Sequence, residues 1–286
     1  MPEASYQIIR PARRDTSVIF ASPHSGRDYP RSFLGRTLLC EHTIRSSEDA
    51  FVDKLFMGAS AMGAPLLLAG APRAFVDVNR SADELDPALI EGVRRAAQNP
   101  RVASGLGVIP RVVANGRAIY RGKLTRGEAE RRIRAYWEPY HAALGRLLQE
   151  SHAQFGEAIL IDCHSMPHEA VESPTIAGGR RPQVVLGDRF GAAAAPAVVE
   201  RVEQAFSDAG FRVVRNAPFA GAYVSRHYGR PSRNQHVVQI EIDRALYMDE
   251  RKIEPLPEFD LFRRRLEGVI GEIVGLGRVR RPLAAE

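Results

Sequence analysis

The run Ala158-Ile159-Leu160-Ile161-Asp162-Cys163-His164-Ser165-Met166-Pro167 constrains this chain more than any other stretch. Four apolar residues climb as a buried strand, a carboxylate and an imidazole then appear together, and Pro167, with no N–H to give to a ladder, ends the run. Side chains alternate along an extended backbone, so Asp162 and His164 point to one face. Two other stretches repeat the pattern. Ser17-Val18-Ile19-Phe20-Ala21 leads into Ser22-Pro23-His24-Ser25-Gly26, and Val237-Val238-Gln239-Ile240-Glu241-Ile242-Asp243 finishes in carboxylates. In open α/β sheets, ligands collect where strands deliver their carboxyl ends. Three such endings, remote in sequence, predict a site assembled by a sheet.

Strand-like and helix-like segments alternate throughout, which predicts one α/β domain over residues 1–286, with a mainly parallel or mixed twisted sheet flanked by helices. Strands are expected near 17–22, 65–69, 74–78, 158–166, 184–187, 211–215 and 236–242. Helices are expected over 48–62, from Asp86-Pro87, and over 126–152, 192–209 and 258–275. Ser46-Ser47-Glu48-Asp49 reads as the cap of the first, with acids in its first turn, and Asp49 and Asp53 then share a face. On the 126–152 helix, Arg131, Arg132 and Arg134 are expected to face water. Residues 1–16 read as a surface drape, 98–122 as loops with short strands, and 168–182, with Pro174, Gly178, Gly179 and Pro182, as a mobile loop over the strand end.

Composition excludes several classes. No apolar run approaches the roughly 20 residues of a membrane helix, and the N-terminus lacks a signal-peptide layout. Cys40 and Cys163 are too few for a disulfide framework, which points to a reducing cytoplasm. The net charge of +6 comes from scattered arginines without interleaved aromatics, a solvated surface rather than a nucleic-acid stripe.

The ionisable residues suit metal-assisted hydrolysis. A mononuclear zinc hydrolase uses three protein ligands and keeps a fourth position open. The candidates are His24, His164 and one of Asp49 or Glu48. A separate carboxylate must take the proton of the attacking water, and Glu241, flanked by Ile240 and Ile242, is placed where burial raises its pKa. Asp162 suits a role behind a ligand histidine, with Asp53 as a further supporting acid. Each residue also has a plainer use: the histidines as hydrogen-bonded loop residues, Asp49 as a helix N-terminal charge, Asn79-Arg80 as a turn with a surface ion pair, His227 packed by Tyr228. Ser22 and Ser165 lie outside any Gly-x-Ser-x-Gly elbow.

Taken together, Ser-Pro-His24-Ser-Gly, Ser-Glu-Asp49-Ala-Phe-Val-Asp53-Lys-Leu-Phe, Phe-Val-Asp-Val-Asn79-Arg80, Leu-Ile-Asp162-Cys-His164-Ser-Met-Pro, Gly221-Ala-Tyr-Val-Ser-Arg-His227-Tyr-Gly and Gln-Ile-Glu241-Ile-Asp-Arg-Ala-Leu-Tyr-Met resemble, in order, the N-formylglutamate amidohydrolase family. The resemblance runs over a core of about 17–275. It implies a zinc-carboxypeptidase-like (phosphorylase/hydrolase-like) fold, shared with the aspartoacylase and succinylglutamate desuccinylase group, and one zinc per chain held by His24, His164 and a carboxylate at the start of the 48–61 helix. Asp49 is favoured over Glu48, because the family pattern sets an acid four residues before the Asp-x-Leu-Phe aspartate. The carboxypeptidase His-x-x-Glu pattern is absent, residue 27 being Arg. The resemblance further implies Glu241 as general base, Asn79-Arg80 on the substrate's α-carboxylate, and Tyr223, Arg226 and His227 lining the acyl or side-chain end. In the mechanism this suggests, a nearby donor, Arg73 or Arg121, is expected at the oxyanion. The expected substrate is a small anionic N-acylamino acid, N-formyl-L-glutamate foremost, at the end of histidine breakdown. The expected protein is a cytoplasmic monomer or small homo-oligomer with no nucleic-acid or membrane partner. The alternatives are a deacylase of another N-acylamino acid or dipeptide, and a non-catalytic carboxylate-binding relative.

Overall fold

A computed structural model describes residues 4–94, 99–172 and 181–278. Its frame is a mixed sheet of β1 Tyr6–Ile9, β2 Val18–Ser22, β3 Leu66–Ala69, β4 Ala158–Met166, β5 Val184–Gly187, β6 Val213–Arg215 and β7 Gln235–Asp243. Side by side they run β1-β3-β2-β4-β7-β5-β6. The four middle strands β3, β2, β4 and β7 are parallel, while β1 joins β3 and β5 joins β7 antiparallel.

The main helices are α1 Arg126–Arg132, α2 Glu138–Phe155, α3 Pro196–Asp208, α4 Tyr223–Tyr228 and α5 Phe259–Leu276. One face of the sheet packs Phe20, Ile161 and Ile240 against Phe206 of α3 and Ile270 of α5. The other packs Ile19, Leu160 and Val237 against Tyr140, Leu144 and Leu147 of α2. Covered on both faces, the middle strands read as near-continuous apolar runs. Alternation then carries Asp162 and His164 onto the face of Leu160, and Gln239 and Glu241 onto the face of Val237. In the parallel register Asp162 stands opposite Gln239 and His164 opposite Glu241. A separate apolar cluster, including Phe75, Val108, Ile119 and Tyr136, supports the wall that faces this strand end.

Several expectations are corrected. The segment 48–62 is not one helix. It holds a single turn, Val52–Leu55, followed by a 3-10 turn, Met57–Ala59. Phe51 is left-handed at φ 66°, and the Asp49 N–H is donated to the His24 carbonyl at 3.0 Å, so contact with a remote loop takes Asp49 out of the helix. Residues 74–78 and 86–90 form turns rather than a strand and a helix. There the Asp77 and Asp86 carboxylates accept from the N–H groups of Asn79 and Ala88, offering the backbone a local alternative. Residues 6–9 add an edge strand where a drape was expected, and 223–228 form a short helix. The long helix reaches Phe155 through a π-helical stretch, Ile133–Trp137. Pro139, lacking an N–H, makes the widened turn before it reasonable. Residues 173–180, on which most of the expected 168–182 loop falls, lie outside the described residues.

Arg132 does not face water. It is 3 % exposed, donates to Tyr120 Oη at 2.7 Å and to the Phe75 carbonyl at 3.2 Å, pairs with Glu128, and lies 4.1 Å from the Phe75 ring centre. Arg132→Met should therefore cost about 3 kcal/mol, the order found when one partner of a buried charged network is removed. Thermal melting of the variant checks this, and an unchanged midpoint would return Arg132 to a surface role. Among the described residues, no helix is long and apolar enough to cross a membrane.

Candidate functional site

Beyond Ser22 the chain turns sharply into Pro23-His24-Ser25-Gly26, with Ser22 and Ser25 hydroxyls 2.8 Å apart. Gly26 passes so close to residues 69–71 that a Cβ there would fall 2.4 Å from the Ala71 carbonyl oxygen, so only glycine fits. This turn buries His24 beside His164, their ring centres 4.8 Å apart and edge to face. Asp49 Oδ2 lies 2.9 Å from His164 Nδ1 and 3.4 Å from His24 Nδ1. His24, Asp49 and His164 each offer one ligand atom within 4.8 Å of the others, a group that could hold a metal ion.

A carboxylate stands behind each imidazole. Asp77 Oδ1 is 2.7 Å from His24 Nε2, and Asp162 Oδ2 is 3.1 Å from His164 Nε2. Such a partner favours the tautomer with hydrogen on Nε2, leaving the Nδ1 lone pair for a cation. His24 Nδ1 is buried with no hydrogen-bond partner among the described residues. That orphaned atom, two imidazoles aimed at one carboxylate oxygen and the outer carboxylates together fit a divalent metal ion.

The charges are strongly coupled to burial. Burial alone would raise the Asp49 carboxyl, but the His164 and His24 imidazoles beside it hold it well below the usual carboxylate range. Burial opposes the His164 imidazolium too, yet Asp162 and Asp49 lift its pKa well above the ordinary value. Asp77 is held low against burial by His24 and by Arg73 and Arg80. Glu241 goes the other way. Burial pushes it up to about 7, with Asp49 adding to the rise and His164, Arg73 and Arg244 opposing it. Gln239 Nε2 donates to Glu241 Oε1 at 2.9 Å, and Gln239 Oε1 accepts from the Ala222 N–H at 3.1 Å, which settles the orientation of that amide.

These groups floor a cavity of about 580 Å³, whose walls include Arg73, Arg80, Arg101 and Arg244. Arg73 Nε is tied to Asp77 at 3.0 Å. Arg80 is buried, donating from Nε to the Leu106 carbonyl and from Nη1 to the Asn79 carbonyl. Burial lowers its pKa, and Arg73 and Arg101 add like charge against the support of Asp77 and Glu84.

His24, Asp49, His164, Asp162, Glu241, Asn79, Arg80 and Arg73 are thus brought together, and others are not. Glu48 turns away to Arg45 at 3.0 Å, and Asp53 is engaged by Arg27 at 2.6 Å. Asn79 has no free fork for a carboxylate. Its Nδ2 lies 3.1 Å from His164 Nε2 and 3.4 Å from Asp162, and its Oδ1 accepts from the Val224 N–H at 2.8 Å. Arg121 is exposed and stands outside the cavity lining. Tyr223 and His227 stack on each other on α4, Tyr223 also packing on Trp137 and His141, while Arg226 points toward Glu84 at 3.9 Å; none of the three lines the cavity. The helix turns their side chains away, and Gly221 and Ala222 reach the wall instead. Sequence reasoning missed Asp77, Gln239, Arg101 and Arg244. Gln239 was recoverable, being two residues before Glu241 on the same strand face. Asp77 carried a weaker signal, an acid inside the apolar run before Asn79.

The model of the family described as N-formylglutamate amidohydrolase matches residues 16–248. An N-formylglutamate deformylase of Pseudomonas aeruginosa is 31% identical over 251 residues, covering 86% of this chain and 87% of that protein. An N-formylglutamate deformylase of Pseudomonas putida is 31% identical over 205 residues, 71% of each. Among solved structures, an N-formylglutamate amidohydrolase from Ralstonia eutropha superposes with a TM-score of 0.88 at 34% identity, over 95% of this chain and 98% of that one. A gene product of Agrobacterium tumefaciens, at TM-score 0.63 and 15% identity over 96% of each chain, shares the fold. With the same ordered motifs now gathered at one strand end, the chain belongs to the N-formylglutamate amidohydrolase family.

Proposed function

We propose that this protein is a zinc-dependent amidohydrolase that cuts the N-acyl amide of a small acidic N-acylamino acid, N-formyl-L-glutamate foremost, giving formate and L-glutamate. The observation that carries the reading is the convergence of His24 Nδ1, His164 Nδ1 and Asp49 Oδ2 beside the buried Glu241, on the floor of an arginine-walled cavity. Bound by those three residues, zinc supplies Lewis acidity, polarising a carbonyl and lowering the pKa of water to about 7.

The rest falls to the chain's own groups. Glu241, in its ionised form, takes a proton from the attacking water and returns it to the leaving amine nitrogen as the amide C–N bond breaks. Gln239 holds that carboxylate in place by donating from Nε2 to Glu241 Oε1. Arg73, its Nε tied to Asp77, presents the rest of its guanidinium to the developing oxyanion. Arg80 is pinned through Nε and Nη1, which leaves Nη2 for the substrate's α-carboxylate. Arg101 has no acid partner among the described residues and suits the distal carboxylate. Two carboxylates on the substrate match this surplus of guanidinium groups. A cytoplasmic monomer or small homo-oligomer acting at the end of histidine breakdown is the setting we propose.

Two measurements test the reading. Purified protein should release glutamate from N-formyl-L-glutamate, lose that activity on exhaustive chelation and regain it with one equivalent of zinc. No release from that substrate under zinc-replete conditions would overturn it. Arg101→Ala should raise KM for N-formyl-L-glutamate about tenfold, the order of one charge-assisted contact, while leaving N-formyl-L-glutamine unaffected. Equal losses on both would remove Arg101 from side-chain recognition. The size of the cavity also favours a second reading, in which a bulkier N-acylamino acid or dipeptide is preferred. A panel of N-acyl-glutamates scored by amine release separates the two.

A further inference from the structure

Arg244 is the first residue beyond β7, and it folds back under the strand ends, 7 % exposed. Its Nη2 reaches Asp49 Oδ1 at 3.0 Å, and its Nε donates to Ser165 Oγ at 3.1 Å. Nη1 lies 3.5 Å from the Ser46 carbonyl and 3.9 Å from Glu250 Oε2. One planar cation thus joins the end of β4, the end of β7 and the loop that carries Asp49.

The consequence for Asp49 is a division of labour between its oxygens. Oδ1 is taken by the guanidinium, and Oδ2 alone faces the two imidazoles. The last torsion of an aspartate is broad and two-fold, so an unrestrained carboxylate can present either or both oxygens to a cation. A guanidinium held at Nε by Ser165 of β4 and at Nη1 by the Ser46 carbonyl and Glu250, with Nη2 left on Asp49, does not allow that rotation. We propose that Arg244 is the positioning residue that restricts Asp49 to one donor oxygen, keeping the centre at three protein donor atoms and leaving room for water and substrate. The occupied state of all three nitrogens argues against a role in gripping the substrate, which falls to Arg80 and Arg101. The burial of a cation beside a cation site also has its reason here, since the carboxylate between them faces each with a different oxygen.

This inference rests on the zinc reading above, and the experiment separates their failures. Zinc affinity is measured by chelator competition for the wild type, Arg244→Met, Asp49→Asn and the double variant, over free zinc up to the millimolar range, with near-UV circular dichroism checking the fold. Arg244→Met should weaken zinc binding 10–100-fold, as loss of an outer partner does. In the Asp49→Asn background the same change should cost less than about threefold, because the carboxylate it positions is gone. No loss in the first background, or an equal loss in both, overturns the proposal. Should Arg244→Met fail to fold, Arg244→Lys, which keeps the cation without the fork, is read by the same two criteria. A wild type that binds no zinc would remove the zinc reading itself. A wild type binding one equivalent, with Arg244→Met indistinguishable from it, removes only the role of Arg244.

Discussion

Glu241→Gln should bind one equivalent of zinc and yet turn over N-formyl-L-glutamate about 10²–10⁴-fold more slowly, the usual worth of a general base. The substitution keeps the shape of the side chain and an oxygen to accept from Gln239, so the loss is one of basicity. A variant with wild-type kcat would remove Glu241 from that role. The same residue predicts two pH effects. Activity needs the carboxylate, so kcat/KM should fall tenfold per pH unit on the acid side, from about 7 or from a lower pH where bound zinc stabilises the anion. The second effect concerns the metal-free protein. The folded-state pKa lies above the unfolded one, near 4.5, so between them the folded chain holds a proton that the unfolded chain has lost, and stability declines as pH rises from 4.5 to 7. Metal-free Glu241→Gln should escape that decline and be more stable than the wild type at pH 8, by on the order of 3 kcal/mol at ~1.36 kcal/mol per pKa unit. The gap should close toward pH 4. Melting curves across that range check the sign.

His164→Ala should purify with far less than one zinc per chain, its affinity down by more than about 100-fold, because loss of an outer partner alone costs 10–100-fold. It should also be less stable. Asp162 is fully buried, and among the described residues its Oδ1 already lacks a hydrogen-bond partner and removing His164 leaves its Oδ2 with only the long 3.4 Å contact from Asn79. A buried carboxylate deprived of its partner costs about 3–5 kcal/mol. Metal analysis of the folded fraction decides the matter. Stoichiometric zinc in folded His164→Ala would exclude His164 as a ligand. Because Asp162→Asn removes the charge behind the ring without removing the ring, it should retain zinc with weakened affinity.

Much of the site could be read along the chain because β2, β4 and β7 carry their information locally. β2 and β4 are apolar on both faces until a polar group appears at the carboxyl end, β7 carries Glu241 within a Val/Ile run, and the two-residue period of a strand sets Asp162 and His164 on one face. By charge and spacing Asp49 was legible only as one of two acids, and the family pattern alone favoured it over Glu48. Glu48 and Asp49 are equivalent in charge and helix position, and what separates them is an N–H donated from Asp49 to the His24 carbonyl and an Arg45 within reach of Glu48. Asn79 and Tyr223 were placed at the substrate by motif. The structure gives Asn79 to Asp162 and Val224, and Tyr223 to an aromatic stack, since a motif names a residue without saying which neighbour satisfies its polar atoms.

By itself the sequence determined the alternation of strands and helices, the apolar centre of the sheet and the set of ionisable residues delivered to one end of it. The tertiary structure alone decided that β5 runs antiparallel to β7, that Arg132 is buried, that Asp77 backs His24, and that Arg244 holds Asp49 across 195 residues of chain. The reason is one of range. Periodicity and burial preference act over a few residues, whereas the choice of which oxygen faces which nitrogen is made within ångströms, by segments that meet only after the sheet has closed around them.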